Sequence, residues 1–200
     1  AMGVSVLFVG VSGALSQMLR AEGGALTVQG TMMMILSLAV GAVLGELLDL
    51  EDRMERFGAW LKVKTKSESD GGFIGAFVTA SLTVCIGAMA IVGSIQDGIL
   101  GDHATLFAKA VLDLVIIMVM TASMGKGCIF SAIPVGILQG SVTLLARLLQ
   151  PVFTDAALSN LSLVGSVLVF CVGLNLVWGK KIRVANLLPS LLIAVIWAFL

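Results

Sequence analysis

The chain alternates between long apolar runs and short polar segments. A helix needs about 20 mostly apolar residues to cross the hydrocarbon core of a bilayer, and its backbone must satisfy its own hydrogen bonds there. Seven runs approach that length with few charged residues: 3–19, 31–48, 73–95, 105–123, 128–148, 161–178 and 184–200. The pattern predicts an all-α fold, a polytopic transmembrane helical bundle of about seven spans.

Composition supports a membrane-embedded chain and argues against a soluble enzyme. Hydrophobic residues make up 58% of the 200 residues and charged residues only 12%, whereas about a quarter of the residues are charged in soluble domains. Seven spans leave no room for a separate soluble domain, so we expect a single transmembrane domain over 1–200. Twelve Lys and Arg balance twelve Asp and Glu, which leaves no basic excess for binding nucleic acid.

Positive charge predicts the orientation, because the cytoplasmic loops of membrane proteins are enriched in Lys and Arg. The loops after the second, fourth and sixth runs carry nine basic residues, and those after the first, third and fifth carry two. The nine are Arg53, Arg56, Lys62, Lys64, Lys66, Lys126, Lys180, Lys181 and Arg183; the two are Arg20 and Arg147. We therefore expect the first set to face the cytoplasm.

The basic segment 51–70 has two interpretations, both of which place it in the cytoplasm. Met54, Phe57 and Leu61 follow helical spacing among its charges, which favours an amphipathic helix on the inner membrane surface. The alternative is a basic topology anchor that is followed by a flexible linker at 67–72.

One charged pair is predicted inside the hydrocarbon. Lys109 and Asp113 lie four residues apart in the fourth span, so a helix puts them on one face and within reach of each other. Asp102, at the start of the same span, is placed to cap the helix. A buried charge is costly without a partner or a cavity. The pair is therefore either a structural tie or the lining of a site where Asp113 exchanges a proton or binds a cation.

Four amides join this pair as candidate residues for transport or ion binding. Gln96 closes the third span, and Gln139, Asn175 and Asn186 lie in the fifth, sixth and seventh. Amides at such depth commonly hydrogen-bond between helices. They form a site only if the fold brings them together with Asp113.

Glycine and proline residues interrupt three of the spans. The candidates for helix breaks are Gly87 and Gly93 in the third span, Pro134 in the fifth and Pro189 in the seventh. Proline lacks a backbone donor and can kink or break a helix. Broken helices expose carbonyl and amide groups at membrane depth, where transporters use them to bind ions.

Two further glycine patterns indicate packing and internal symmetry. Gly41 with Gly45, and Gly136 with Gly140, are spaced for close helix contact, within the chain or in a homo-oligomer. Similar short motifs with a glycine at the third position occur at 8–14, 85–91 and 171–177. The first and last belong to spans predicted to run in opposite directions, as an inverted repeat requires.

Motifs for catalysis or metal binding are missing from the sequence. Cys85, Cys128 and Cys171 have no ligand spacing, and His103 is the single histidine. The sequence contains no phosphate-binding loop, dinucleotide fingerprint, serine-nucleophile elbow or metalloprotease motif. We expect no metal, no cofactor and no enzymatic activity.

Four segments carry a resemblance to a known family, namely residues 36–61, 75–114, 130–146 and 173–194. They include GELLDLEDRMERFGAWL, GSIQDGILGDHATLFAKAVLDL and IPVGILQGS, and on them the chain resembles the bacterial membrane family called domain of unknown function family 554. The resemblance implies a multi-pass protein of the bacterial inner membrane. Members of the family have one further glycine-rich span before the region that matches 2–19, and we expect this chain to lack it. It supplies no catalytic residues.

These observations favour a protein that moves a small solute or ion through a polar cavity around Asp113 and Lys109. The alternative is a scaffold or sensor without transport, in which the same polar residues join helices or subunits. Besides the lipid bilayer, the expected partners are the solute or ion and a second copy of the chain. An intramembrane enzyme ranks third, because no pair of nucleophile and base stands out.

Overall fold

The structure is a computed structural model that describes residues 2–22, 25–66, 71–85, 88–149, 152 and 154–200. These residues are mostly helical. The α-helices are α1 Met2–Met18, α2 Thr31–Leu48, α3 Leu50–Lys64, α4 Phe73–Cys85, α5 Ala88–Leu100, α6 Ala104–Met124, α7 Ala132–Leu144, α8 Ala146–Leu149, α9 Asp155–Trp178 and α10 Pro189–Trp197. Short 3-10 helices at Lys126–Ser131 and Val184–Leu187 precede α7 and α10. The strands β1 (Leu19–Glu22) and β2 (Ala25–Val28) form a small antiparallel hairpin that the apolar pattern did not predict.

Four helical segments in the described part of the chain are long and apolar enough to cross a membrane. They are α2, α6, α9 and Lys126–Leu144, which joins the first 3-10 helix to α7. Together, α4 and α5 would make a fifth, and α1 and the segment Val184–Trp197 are apolar but shorter. The all-α membrane class is thus confirmed, whereas the number of seven spans stays a prediction.

The chain divides into two compact units, which we describe separately. The first contains residues 1–50 and 151–200, and the second contains residues 51–150.

In the first unit, α1 and α9 run antiparallel and pack closely through glycines. Gly3, Gly10 and Gly13 of α1 lie against Val177, Phe170 and Ser166 of α9, and Gly173 of α9 lies against Leu7. At the far end of the pair, Ser159 Oγ donates a hydrogen bond of 2.9 Å to Gln17 Oε1. Small residues let the two backbones approach, as is common between helices in membranes.

A second glycine contact joins α2 to the segment that contains α10. The buried residues of α2 are Met33, Ser37, Gly41 and Gly45, which recur every four positions. A side chain at Gly41 would overlap the backbone of Ser190, and one at Gly45 would overlap the backbone of Asn186. The packing interpretation of Gly41 and Gly45 is therefore confirmed.

In the second unit, α4 is buried on nearly all sides. Its first turn packs on the Lys126–Ser131 helix, where a side chain at Gly127 would overlap the Phe73 backbone. At the other end of the unit, Gly98 of α5 lies against Thr143 of α7. The start of α4 and the end of α6 thus lie on one side, and the ends of α5 and α7 lie on the opposite side.

Within each unit the sides agree with the predicted orientation. In the first, Arg183 lies 3.4 Å from Glu46, which brings the turn after α9 to the end of α2. In the second, Lys126 follows α6 on the side where α4 begins, and α8, which carries Arg147, lies at the opposite side.

The third predicted span differs most from its prediction of one run over 73–95. The structure has α4 and α5 instead, and the second half, Met89–Leu100, is bent by 73° relative to Phe73–Cys85. The fifth span, predicted as 128–148, begins as a 3-10 helix and its main helix ends at Leu144. Pro134 and Pro189 lie in the first turns of α7 and α10, where a missing backbone donor costs little.

The basic segment forms the helix α3 over Leu50–Lys64, and its location on the inner membrane surface stays a prediction. The Phe57 and Phe77 rings meet edge to face with centroids 5.8 Å apart, Gly58 also faces Phe77, and Leu61 is buried. Residues 67–70 of the predicted linker lie outside the described residues.

Candidate functional site

The predicted charged pair is formed on α6. Lys109 Nζ donates to Asp113 Oδ2 across one helical turn. The Lys109 side chain is 8% exposed and that of Asp113 is 22% exposed. The i,i+4 spacing therefore produces the contact that the sequence suggested. Both ions are largely removed from solvent, so each needs its partner.

Lys109 has a second partner at the end of a neighbouring helix. Its Nζ donates a hydrogen bond of 3.0 Å to the backbone carbonyl of Val84. Val84 lies in the last described turn of α4, which ends at Cys85. The C-terminal end of a helix carries a partial negative charge, which favours an ammonium group there. Val84 was not among the residues predicted from the sequence, although the interruption of the third span was a signal for it.

The charged pair belongs to a polar row along α6. Thr105, Lys109, Asp113 and Thr121 are multiples of four residues apart, with Ile117 between the last two. All of them are buried or half-buried. Four residues rise about 6 Å along a helix, so the row extends over most of the length of α6.

Two buried hydroxyl groups lie on the two halves of the third span. Ser81 Oγ on α4 and Ser94 Oγ on α5 have no hydrogen-bond partner within the part of the chain that the structure describes. Thr121 Oγ1, in the polar row, is also buried and has no hydrogen-bond partner among the described residues. Buried hydroxyls are normally paired, and each of these can both donate to and accept from a polar ligand.

The turn between α5 and α6 contains a cluster of paired polar side chains. Thr105 Oγ1 donates to Gln96 Oε1 at 2.7 Å, and His103 Nδ1 pairs with Asp97. Asp102 Oδ1 accepts from the backbone N–H of Ala104 at 3.0 Å. The N-cap residue of α6 is His103, which forms no side-chain capping bond, so the prediction that Asp102 caps the helix is wrong by one position. Gln96 thus joins α5 to the first member of the polar row.

The amides of the first unit are placed differently. Asn175 Oδ1 accepts hydrogen bonds of 2.9 Å from the backbone N–H groups of Lys181 and Ile182, and its Nδ2 donates to the Ile182 carbonyl at 2.7 Å. Asn175 therefore fixes the turn after α9. Asn186 is buried in the 3-10 helix that faces Gly45. Asp113 belongs to the second unit, so the structure places these two amides in a different unit from the charged pair.

The other candidates occupy ordinary helix positions. Gln139 is half-buried on α7, and both Gly136 and Gly140 have open space where a side chain would lie. Gly93 lies inside the continuous helix α5, and the Leu106 side chain of α6 packs against it. Gly87 lies outside the described residues.

Metal ligands do not cluster in the described residues. No group of three His, Cys, Asp or Glu side chains comes together there. The three cysteines are free, and Cys128 Sγ contacts the Ala76 carbonyl at 3.6 Å.

The helices define an integral membrane protein with an embedded charged pair. By sequence, the chain belongs to the family described as "Protein of unknown function (DUF554)", which matches residues 1–199. It is 32% identical over 159 residues to "Uncharacterized membrane protein YdfK" of Bacillus subtilis, a match that covers 80% of this chain and 66% of the relative. It is 30% identical over 165 residues to "Uncharacterized protein YqgA" of Escherichia coli, covering 80% of this chain and 70% of the relative.

The chain thus spans about two thirds of the length of these curated relatives. No solved structure matches it.

Proposed function

We propose that this membrane protein is not an enzyme but moves a small solute or ion across the bacterial inner membrane, through a polar site around Lys109 and Asp113. The observation that carries the proposal is the position of the Lys109 ammonium group. It lies between the Asp113 carboxylate and the Val84 carbonyl, where α4 ends. Half-helix ends of this kind form binding sites in transporters.

The chemistry of the pair suits a polar ligand. The carboxylate and the carbonyl together offer oxygen atoms to a cation, and the ammonium group offers donors to an anion. The buried hydroxyls of Ser81 and Ser94 add uncharged donors and acceptors on α4 and α5. Ionisable residues within transmembrane segments commonly mark ion or substrate pathways.

The polar row gives the site a direction along the span. Thr105 lies at the end of α6 where Gln96 and His103 are found, and Thr121 lies near the other end. Each step of four residues also turns by about 40° around the helix axis, so the row winds around α6 and Thr121 lies nearly opposite Thr105. A lipid-facing row of this composition would be costly.

A flux measurement in sealed vesicles tests the proposal. The purified full chain is reconstituted and screened for uptake of alkali cations, small anions and small zwitterions, with a pH-sensitive dye to follow protons. We expect one of these fluxes to exceed that of empty vesicles and to fall to the empty-vesicle level in Asp113→Asn. Asp52→Asn is the matched control, because Asp52 forms the same i,i+4 acid–base pair with Arg56 at the exposed surface of α3.

A scaffold or sensor is the second candidate function, and one observation favours it. Asn175 and Gln96 are both engaged in hydrogen bonds that join parts of the chain, as structural amides would be. If no flux exceeds that of empty vesicles while Asp113→Asn lowers only the thermal stability, the scaffold replaces the transporter. Flux that persists in Asp113→Asn would place the path elsewhere.

A further inference from the structure

The exposed residues of α3 form one stripe with an unusual composition. They are Arg53, Arg56, Phe57, Trp60, Val63 and Lys64, and the remaining residues of the helix are buried or half-buried. Their spacing of three and four places them along one side of the helix. The stripe contains three basic and three apolar residues, whereas the acidic residues of α3, Glu51, Asp52 and Glu55, all lie outside it.

The apolar members of the stripe are strongly exposed. Trp60 is 56% exposed and Val63 is 63% exposed, and the Trp60 ring stacks on Phe57 with centroids 5.8 Å apart. Arg56 pairs with Asp52 through Nε at 2.5 Å, yet its side chain remains 80% exposed. An indole between long basic side chains is typical of a helix that lies at a membrane surface.

The position of α3 in the chain brings the stripe to the membrane. The helix begins two residues after the end of α2. Buried Gly58 packs on Phe77 in the first two turns of α4, and Phe57, at the edge of the stripe, contacts the same ring. The helix α3 is therefore attached to the candidate span α2 before it and to the apolar helix α4 after it. The predicted orientation puts this end in the cytoplasm, where the leaflet carries anionic lipids.

We propose that the exposed stripe of α3 is a docking surface for the headgroups of anionic phospholipids. Trp60 and Val63 enter the interfacial region of the bilayer. Arg53, Arg56 and Lys64 extend beside them and bind the lipid phosphates, because long basic side chains can lie along an apolar surface with their charge at the headgroups. The absence of acidic residues from the stripe makes the attraction selective for anionic over zwitterionic lipid.

Lipid quenching of Trp60 in the full chain tests the proposal. The other two tryptophans are replaced, as Trp178→Phe and Trp197→Phe, and the protein is reconstituted in phosphatidylcholine vesicles that contain phosphatidylglycerol. Bromine is placed on one lipid or the other at equal mole fraction. Per brominated lipid, we expect Trp60 to be quenched roughly twofold or more strongly by phosphatidylglycerol than by phosphatidylcholine, and we expect high salt to remove the difference.

Two charge variants show whether the stripe causes the preference. The first variant combines Arg53→Gln, Arg56→Gln and Lys64→Gln. It should abolish the stronger quenching of Trp60 by phosphatidylglycerol. The control variant Lys66→Gln, Lys126→Gln and Lys181→Gln removes three exposed positive charges elsewhere on the same predicted side and should retain it. Equal quenching by both lipids, or a salt-insensitive difference, would overturn the proposal. Trp60 that neither lipid quenches would also overturn it and would indicate that protein or water covers the stripe.

Discussion

Gly10 of α1 lies directly against the backbone of Phe170 of α9: a Cβ atom at Gly10 would be 2.5 Å from the Phe170 nitrogen. The contact is reciprocal, since Gly173 of α9 lies against Leu7 of α1. In both helices the large residue precedes the glycine by three positions. The two short motifs at 8–14 and 171–177 thus form equivalent halves of one antiparallel contact, which agrees with an inverted repeat.

We expect Gly10→Ala to destabilise the protein. The added methyl group meets backbone atoms of Phe170 rather than the end of a flexible side chain, so α1 and α9 must move apart. Overpacking of this kind typically costs about 1 to 3 kcal/mol. Thermal unfolding in detergent measures the effect. Gly136→Ala is the control, because among the described residues its added Cβ would meet nothing within 4 Å beyond its own helix backbone and chain neighbours. Equal melting temperatures for the two variants would contradict the close contact.

Local pattern was sufficient to predict several elements. α2 occupies 31–48 as expected, and it is bounded by Gly30 and Asp49, whose φ angles of 77° and 47° leave the helical region. The Lys109–Asp113 contact also follows from spacing within one helix. In each case the deciding interactions lie within a few residues of each other along the chain.

The rest of the site depends on contacts between distant parts of the chain. Lys109 and Val84 are 25 residues apart, so their hydrogen bond depends on how α4 and α6 pack. Ser81 and Ser94 resemble ordinary small residues of apolar helices until packing buries them. Gly93 was a candidate for the helix break but lies inside α5. The lack of a side chain there leaves space for Leu106 of α6.

If Lys109 and Asp113 stabilise each other, the single and double variants of the pair should differ in stability in a characteristic way. Removing one partner, in Lys109→Met or Asp113→Leu, leaves an unpaired buried charge and should cost about 3 to 5 kcal/mol. The double variant removes both charges and should be more stable than either single variant. Thermal unfolding in detergent compares the three with Asp52→Leu, Arg56→Met and their combination, since that exposed pair should contribute less than about 1 kcal/mol. Additive losses at 109 and 113 would show that the two side chains do not interact.

The predicted orientation can be tested by labelling with a membrane-impermeant thiol reagent. In a variant whose three native cysteines are replaced by serine, Cys introduced at Lys64 or Lys181 should resist the reagent in intact cells and react after permeabilisation. Cys at Leu100 should react in intact cells, because this exposed residue ends α5 on the opposite side of the second unit from the start of α4. Labelling of positions 64 and 181 in intact cells would show that the orientation is the opposite of the predicted one.

We expect replacement of Asn175 to lower the stability of the protein without lowering its transport activity. Asn175→Ala removes the acceptor for two backbone N–H groups and the donor to the Ile182 carbonyl, all in the turn after α9. The Lys181 bond is exposed and the two Ile182 bonds are part-buried, so each loss should cost less than the roughly 1 to 3 kcal/mol of a fully buried unpaired group, and the melting temperature should fall. Ser141→Ala is the control, because its hydroxyl donates to the Leu138 carbonyl within its own helix and so joins no distant part of the chain. Flux per folded molecule should be unchanged if the transport site lies at Lys109 and Asp113. A selective loss of flux in Asn175→Ala, with normal stability, would instead make Asn175 part of the path.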